Sequence, residues 1–233
     1  MTRIKISSIP EPSLASLLRR FHVVRSEIRV AHHHFEILRP RSADELISED
    51  DFNRDERLPH WAEIWASSIA LAERLATETG TGRRLLELGC GVGLVSAIAA
   101  VNGFDVTATD YYVEALEFTR FNSIHNGQPS PATRLADWRD FPKDLGRFDF
   151  VVASDVLYER TYAELVAAAF AATLDPDGIG LLADPQRQNG ALFPEACRRE
   201  GLKILRMSGV QIEFGEKQQT IDLYELGPSE IQI

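Results

Sequence analysis

Cysteine is scarce: Cys90 and Cys197 are the two in 233 residues, with no spacing that argues for a disulfide framework or a thiolate zinc site, so both thiols are expected to be free. Long apolar runs are missing as well. No stretch approaches the ~20 apolar residues of a membrane span, and the opening "MTRIKISSIPEPSLASLLRRF" lacks an apolar core. No membrane partner is expected, and the cytoplasm is the expected compartment. Positive charge is in deficit, with 25 Lys and Arg against 35 Asp and Glu and a net charge of -10. Such a balance opposes attraction to phosphate backbones and anionic lipid, so no nucleic acid partner is expected. An acidic surface serves solubility, and it would also attract a lysine-bearing substrate. Internal repeats and low-complexity tracts are absent too.

What is present is enough chain for one sizeable core. Residues 1–60 read as an N-terminal extension and 61–233 as the main domain. "SLASLLRRFHVVRSEIRV" carries a short helical pattern and then alternation, "FEILRP" reads as a strand ending at Pro40, and "RSADELISEDDFNRDERLP" is an acidic connector. "WAEIWASSIALAERLATETG" has helical spacing from Trp61 and predicts a helix capped by Gly80. Thereafter short β-rich runs alternate with helical ones, giving seven strands after residue 80. That alternation predicts an α/β fold, a mostly parallel sheet with crossover helices. In "AHHHFE", His32 and His34 would share one face of a strand; with no third ligand identified, a surface strand is expected and no metal site.

The chemistry concentrates in "LLELGCGVGL", where Glu87 precedes Gly89, Gly91 and Gly93 between an apolar run and a helical one. Alternate glycines let the chain turn sharply and leave N–H groups bare at a helix start. Leu94 stands where a dinucleotide fingerprint has its third glycine, which counts against NAD. Glu87 would repel a pyrophosphate and suits a cationic amino acid group, such as that of S-adenosylmethionine. Asp110 ends the next strand, about 20 residues past the first glycine, where a carboxylate can accept from both ribose hydroxyls; it can equally cap the following helix. Asp137 and Trp138 end the third strand and offer an acceptor for an adenine amino group and an indole to cover the ring.

From Trp61 to Tyr158 the chain resembles the seven-strand S-adenosylmethionine-dependent methyltransferases, and among them the protein-lysine methyltransferases of the methyltransferase-16 group. The marks are Trp65 in "EIWASSIALAERL", "ELGCGVGL", "TATD", "ADW" and "SDVLY", the last matching the group's D-x-x-Y signature. The resemblance implies a Rossmann-like sheet of order 3-2-1-4-5-7-6 with its final strand antiparallel. It implies S-adenosylmethionine as cofactor, with Glu87, Gly89, Gly91 and Gly93 around its methionine part, Asp110 at the ribose, and Asp137 and Trp138 at the adenine. Trp65 would close over the cofactor and Ser154 would lie beside the methyl group. Asp155 and Tyr158 would line the entrance for the amine of a protein lysine, unless Asp155 caps the next helix and Tyr158 is an ordinary loop aromatic. A small-molecule N-methyltransferase with residues 1–60 as a lid, and a cofactor-binding module without turnover, are the alternatives.

Overall fold

The computed structural model describes residues 12–46, 59–215 and 217–229. Much of the acidic connector lies outside the described residues. Helix α1 (Leu14–Arg20) is followed by the antiparallel hairpin β1 (Val23–Val30) and β2 (His33–Pro40). Helix α2 (Ala66–Leu75) then leads into an alternation of β3 (Arg84–Leu88), α3 (Leu94–Val101), β4 (Asp105–Asp110), α4 (Val113–His125), β5 (Ala132–Leu135) and β6 (Phe148–Ser154). Helix α5 (Tyr162–Thr173), β7 (Leu174–Asp184), α6 (Phe193–Arg199), β8 (Leu202–Phe214) and β9 (Lys217–Pro228) complete it.

The seven-stranded sheet has the order β5-β4-β3-β6-β7-β9-β8, and β9 runs antiparallel to both of its neighbours. This is the expected order 3-2-1-4-5-7-6. β3 sits centrally, and four of its five residues are buried, as a parallel strand covered on both faces requires. The winding reverses between β3 and β6, so a crevice opens there at the carboxyl ends of the strands. One face of the sheet is covered by α2, α3 and the N-terminal hairpin, which share a continuous core. The other carries α5 and α6.

The edge of β2 is covered in an unusual way. Asn122 and Asn126 are four apart on α4 and therefore about 6 Å apart along its axis; alternate residues of a strand are separated by about 6.6 Å. The near match lets two side-chain amides stand in for a strand. Leu38 N–H donates to Asn122 Oδ1 (2.9 Å) and Glu36 N–H to Asn126 Oδ1 (3.0 Å). Each amide nitrogen returns a bond to the carbonyl of the same residue, Leu38 at 2.8 Å and Glu36 at 3.0 Å. Asn122 Nδ2 also donates to Val92 O (2.8 Å) in the glycine loop, so one side chain joins hairpin, helix and loop.

Three expectations need correcting. Helix α2 begins at Ala66, because residues 60–62 form a separate 3-10 turn and Trp65 is the extended N-cap residue. Gly80 does not cap α2: the helix ends at Ala76 in right-handed geometry, and Gly80 is a close-approach site where a Cβ would stand 2.4 Å from Phe104. His32 and His34 do not share a strand face, since Ala31 and His32 form the hairpin turn, with Ala31 at φ 50°. No group of three metal-ligating side chains occurs among the described residues.

Candidate active site

A cavity of about 250 Å³ lies at the carboxyl ends of β3, β4, β5 and β6. Glu87, Gly89, Gly91, Gly93, Asp110, Asp137, Trp138, Ser154, Asp155, Tyr158 and Trp65 all line it, so residues drawn from five segments meet in one place.

The glycine loop is used differently from the expectation of bare N–H groups. Gly89 and Cys90 both donate to Thr109 O (2.9 Å each), Gly91 donates to Asp110 Oδ2 (3.0 Å), and Gly93 donates to Cys90 O (2.9 Å). These donors are already engaged by neighbouring chain, so the loop is poorly suited to cradle phosphate. The glycines serve close packing instead. Gly93, at φ 88°, lies where a Cβ would come 2.6 Å from the Thr119 backbone of α4, and a Cβ on Gly91 would come 3.1 Å from Trp61 O. Cys90 is buried beside Thr119, whose hydroxyl lies 3.2 Å from its sulfur, and burial pushes its thiol well up.

Glu87 is 1% exposed and accepts a hydrogen bond from Ser96 Oγ. Burial raises its carboxyl from 4.5 to about 8, against the lowering effect of that bond. A cation brought against it would return it to the carboxylate. Asp110 does two things at once. Its Oδ1 accepts from Tyr112 N–H (3.0 Å) at the start of α4 and its Oδ2 holds Gly91, while the carboxylate still faces the cavity. Burial lifts it to about 6, opposed by these backbone donors. Asp137 is held by Arg139 (Nη2 to Oδ2, 2.8 Å), a pairing absent from the sequence reading. Trp138 packs on Gly89 and meets Tyr162 edge-on at 5.2 Å. Wall chemistry of this kind fits S-adenosylmethionine: two acids that a cation and ribose hydroxyls would ionise, an indole for a ring, and no free phosphate cradle.

At the far end, Asp155 adopts φ 58° and its N–H donates to Ala183 O (2.9 Å), which turns the chain off β6 and aims the carboxylate inward. It does not cap α5, which starts at Tyr162 with Thr161 as N-cap. Asp155 Oδ2 accepts from Ser67 Oγ (3.3 Å), Oδ1 accepts from Arg187 Nε (2.5 Å), and Arg187 Nη2 is ion-paired with the same oxygen. Burial raises the Asp155 carboxyl and Arg187 offsets part of that rise. Tyr158 is edge-on to His60 and to Tyr162, both at 5.0 Å, and burial keeps its hydroxyl protonated. Trp65 Nε1 donates to His60 O (3.0 Å).

Two residues escaped the sequence reading: His60, which lines the cavity, and Arg187, which reaches Asp155 from beside it. His60 contributes a ring whose pKa is lowered by burial and by Arg187. Arg187 places its guanidinium 5.9 Å from the ring centroids of both Trp65 and Tyr158, within cation–π range. A signal for it existed: "DPQR" follows directly on β7, at the strand end where ligands of open α/β sheets bind.

A family model described as a methyltransferase domain matches residues 60–221. The chain is 30% identical over 148 residues to EEF1A lysine methyltransferase 3 of Mus musculus, covering 60% of this chain and 62% of that protein. It is 27% identical over 157 residues to the protein N-lysine methyltransferase METTL21A of Xenopus tropicalis, covering 64% and 66%. A protein-L-isoaspartate O-methyltransferase of Nitrobacter winogradskyi is 28% identical over 144 residues, 62% of each chain. The matches to five such relatives span 42% to 66% of the relatives' own length. Among solved structures, a putative methyltransferase complexed with SAH superposes with TM-score 0.60 at 9% identity, over 87% of this chain and 55% of that one. A putative RNA methyltransferase of Pyrococcus horikoshii gives 0.56 at 14%, over 70% and 83%. Likenesses at such identities carry the fold.

Proposed function

The chain belongs to the S-adenosylmethionine-dependent methyltransferases, and from that membership we propose that it transfers a methyl group to the side-chain nitrogen of a lysine in a protein substrate. The observation that carries this reading is a cation seat beside the cavity: the buried carboxylate of Asp155 is already paired with the Arg187 guanidinium, which stands 5.9 Å from the ring centroids of both Tyr158 and Trp65. The printed activities of the two lysine methyltransferase relatives support it.

The bound cofactor supplies an electrophilic methyl on a sulfonium. Attack by the amine lone pair breaks the sulfur–carbon bond, and the electron pair stays on sulfur. The protein must therefore deliver a neutral amine in line. A lysine of pKa ~10.4 costs about 4–5 kcal/mol to deprotonate at pH 7. Asp155 and the rings of Tyr158 and Trp65 draw the ammonium in and orient it, whereas its removal from water favours the neutral form. Glu87 and Asp110 would hold the cofactor's cationic and hydroxyl groups at the other end.

One observation favours a second reading: Arg187 brings a guanidinium to the same seat, as a carboxylate acceptor would require, and one relative is an isoaspartate O-methyltransferase. Incubation with radiolabelled S-adenosylmethionine and a lysate separates the readings. Label in a protein band that survives acid hydrolysis as methyl-lysine is expected. Label lost in mild base indicates a methyl ester, and label confined to the protein-free fraction indicates a small-molecule acceptor.

A further inference from the structure

The cation seat is filled by the chain's own Arg187. Its Nε donates to Asp155 Oδ1, its Nη2 is ion-paired with the same oxygen, and the guanidinium lies 5.9 Å from the centroids of both the Trp65 and the Tyr158 ring. The backbone beneath it is firmly held. Arg187 N–H donates to Asp184 Oδ2 (2.8 Å), and Gln186, at φ 59°, reaches Asp222 Oδ1 (3.2 Å). Gly190 lies so near Asp184 that a Cβ there would stand 2.6 Å from Oδ2. The side chain on this fixed base is 31% exposed and ends in a long flexible stem. Beside it, Asp184 is 1% exposed, and its Oδ1 has no hydrogen-bond partner among the described residues. A buried acceptor with no protein donor is open to one.

We propose that Arg187 is a resident occupant of the acceptor's seat, displaced by the substrate ammonium as it docks, and that Asp184 Oδ1 receives the guanidinium when it leaves. The proposal rests on the lysine reading of the site. Exchange of one cation for another keeps Asp155 paired throughout, which a buried carboxylate needs. Two cations on the single oxygen would repel, so substrate and arginine alternate. Arg187 thereby screens acceptors: a substrate enters only if its ammonium, with the contacts of its surrounding chain, outcompetes a guanidinium tethered at the seat. Its role is in specificity, not in the chemical step.

The test uses Nα-acetyl-lysine N-methylamide, with the norleucine counterpart as the uncharged control, titrated by NMR into protein loaded with S-adenosylhomocysteine. Removing the competitor in Arg187→Met is expected to tighten binding of the lysine amide by about tenfold or more, because apparent affinity is reduced by the fraction of seats occupied. Arg187→Gln should give a similar gain and serves if the first variant does not fold, as judged by its melting transition. Arg187→Lys keeps a resident cation and should stay within about threefold of the parent. Affinity for S-adenosylhomocysteine should not change in any of them, and the norleucine amide should gain nothing. Equal or weaker lysine binding in the uncharged variants overturns the proposal alone, since Arg187 would then support Asp155. No preference for lysine over norleucine in any protein overturns the cation seat and the proposal with it.

Discussion

At the scale of single residues, the two acids facing the cofactor end make stability and binding respond to pH in opposite directions. Glu87 in the folded protein holds its proton up to about 8, whereas in the unfolded chain it is released near 4.5. Between those values the folded state binds more protons, so the cofactor-free protein loses stability as pH rises through that window, most of it recovered below 4.5. Asp110 adds to this between 3.8 and about 6. Binding runs the other way, because a cofactor ammonium beside Glu87 and hydroxyls beside Asp110 favour the carboxylates. We expect affinity for S-adenosylhomocysteine to rise from pH 5 to 8 by up to about tenfold per pH unit for each proton released, and then to level. Glu87→Gln should remove the part above pH 6. Calorimetry in buffers of different ionisation enthalpy counts the protons, and a flat profile in the parent protein refutes the assignment. Glu87, the three glycines and Asp110 were legible in the sequence because each lies within a few residues of a strand end, where a local motif states its own geometry. Arg187 was not. Its meaning arises where the loop after β7 meets the loop after β6, 32 residues earlier in the chain, and no local pattern records that meeting. Nor did the motif reveal that the glycine N–H groups are spent on Thr109 and Asp110.

At the scale of elements, short β-rich runs located every strand of the sheet, most plainly β3 and β6, parallel strands buried on both faces. The start of α2 was misplaced because apolar residues continue at helical spacing through Trp61, Ile64 and Trp65, and spacing alone does not distinguish a 3-10 turn and an extended cap from a first helical turn. The role of α4 was hidden as well. Asparagines on a helix read as solvent-facing polar residues, whereas Asn122 is fully buried and completes the bonding of β2. Asn122→Ala would leave the Leu38 N–H and the Leu38 and Val92 carbonyls without partners, at a cost of about 2–4 kcal/mol. Urea denaturation should register that loss. Amide exchange should show Leu38 losing protection, and cofactor affinity should fall because Val92 belongs to the glycine loop. A variant with unchanged exchange at Leu38 would contradict the arrangement.

For the whole molecule, the described residues ahead of the methyltransferase match share one core with it. Leu17, Val30, Phe35, Ile37 and Leu38 are buried in the same cluster as Trp61, Val95 and Phe118. A chain begun at Pro59 is therefore expected to lose cooperative unfolding, since it would expose the apolar surface under the hairpin and strip the partners from Asn122 and Asn126. A sigmoidal urea transition in that truncated chain would show the contrary. The sheet order was legible through the family resemblance alone. The clasp between hairpin and domain was not, for it joins backbone to amide and leaves no apolar signature. That clasp also decides which changes of sequence the hairpin can absorb. Helix α4 grips β2 through main-chain atoms at two alternate positions, so the grip does not depend on which side chains the strand carries there. Replacing Glu36, the half-buried one of the two, should therefore leave the clasp on the glycine loop in place, whereas Leu38 is tied to the core by its side chain as well.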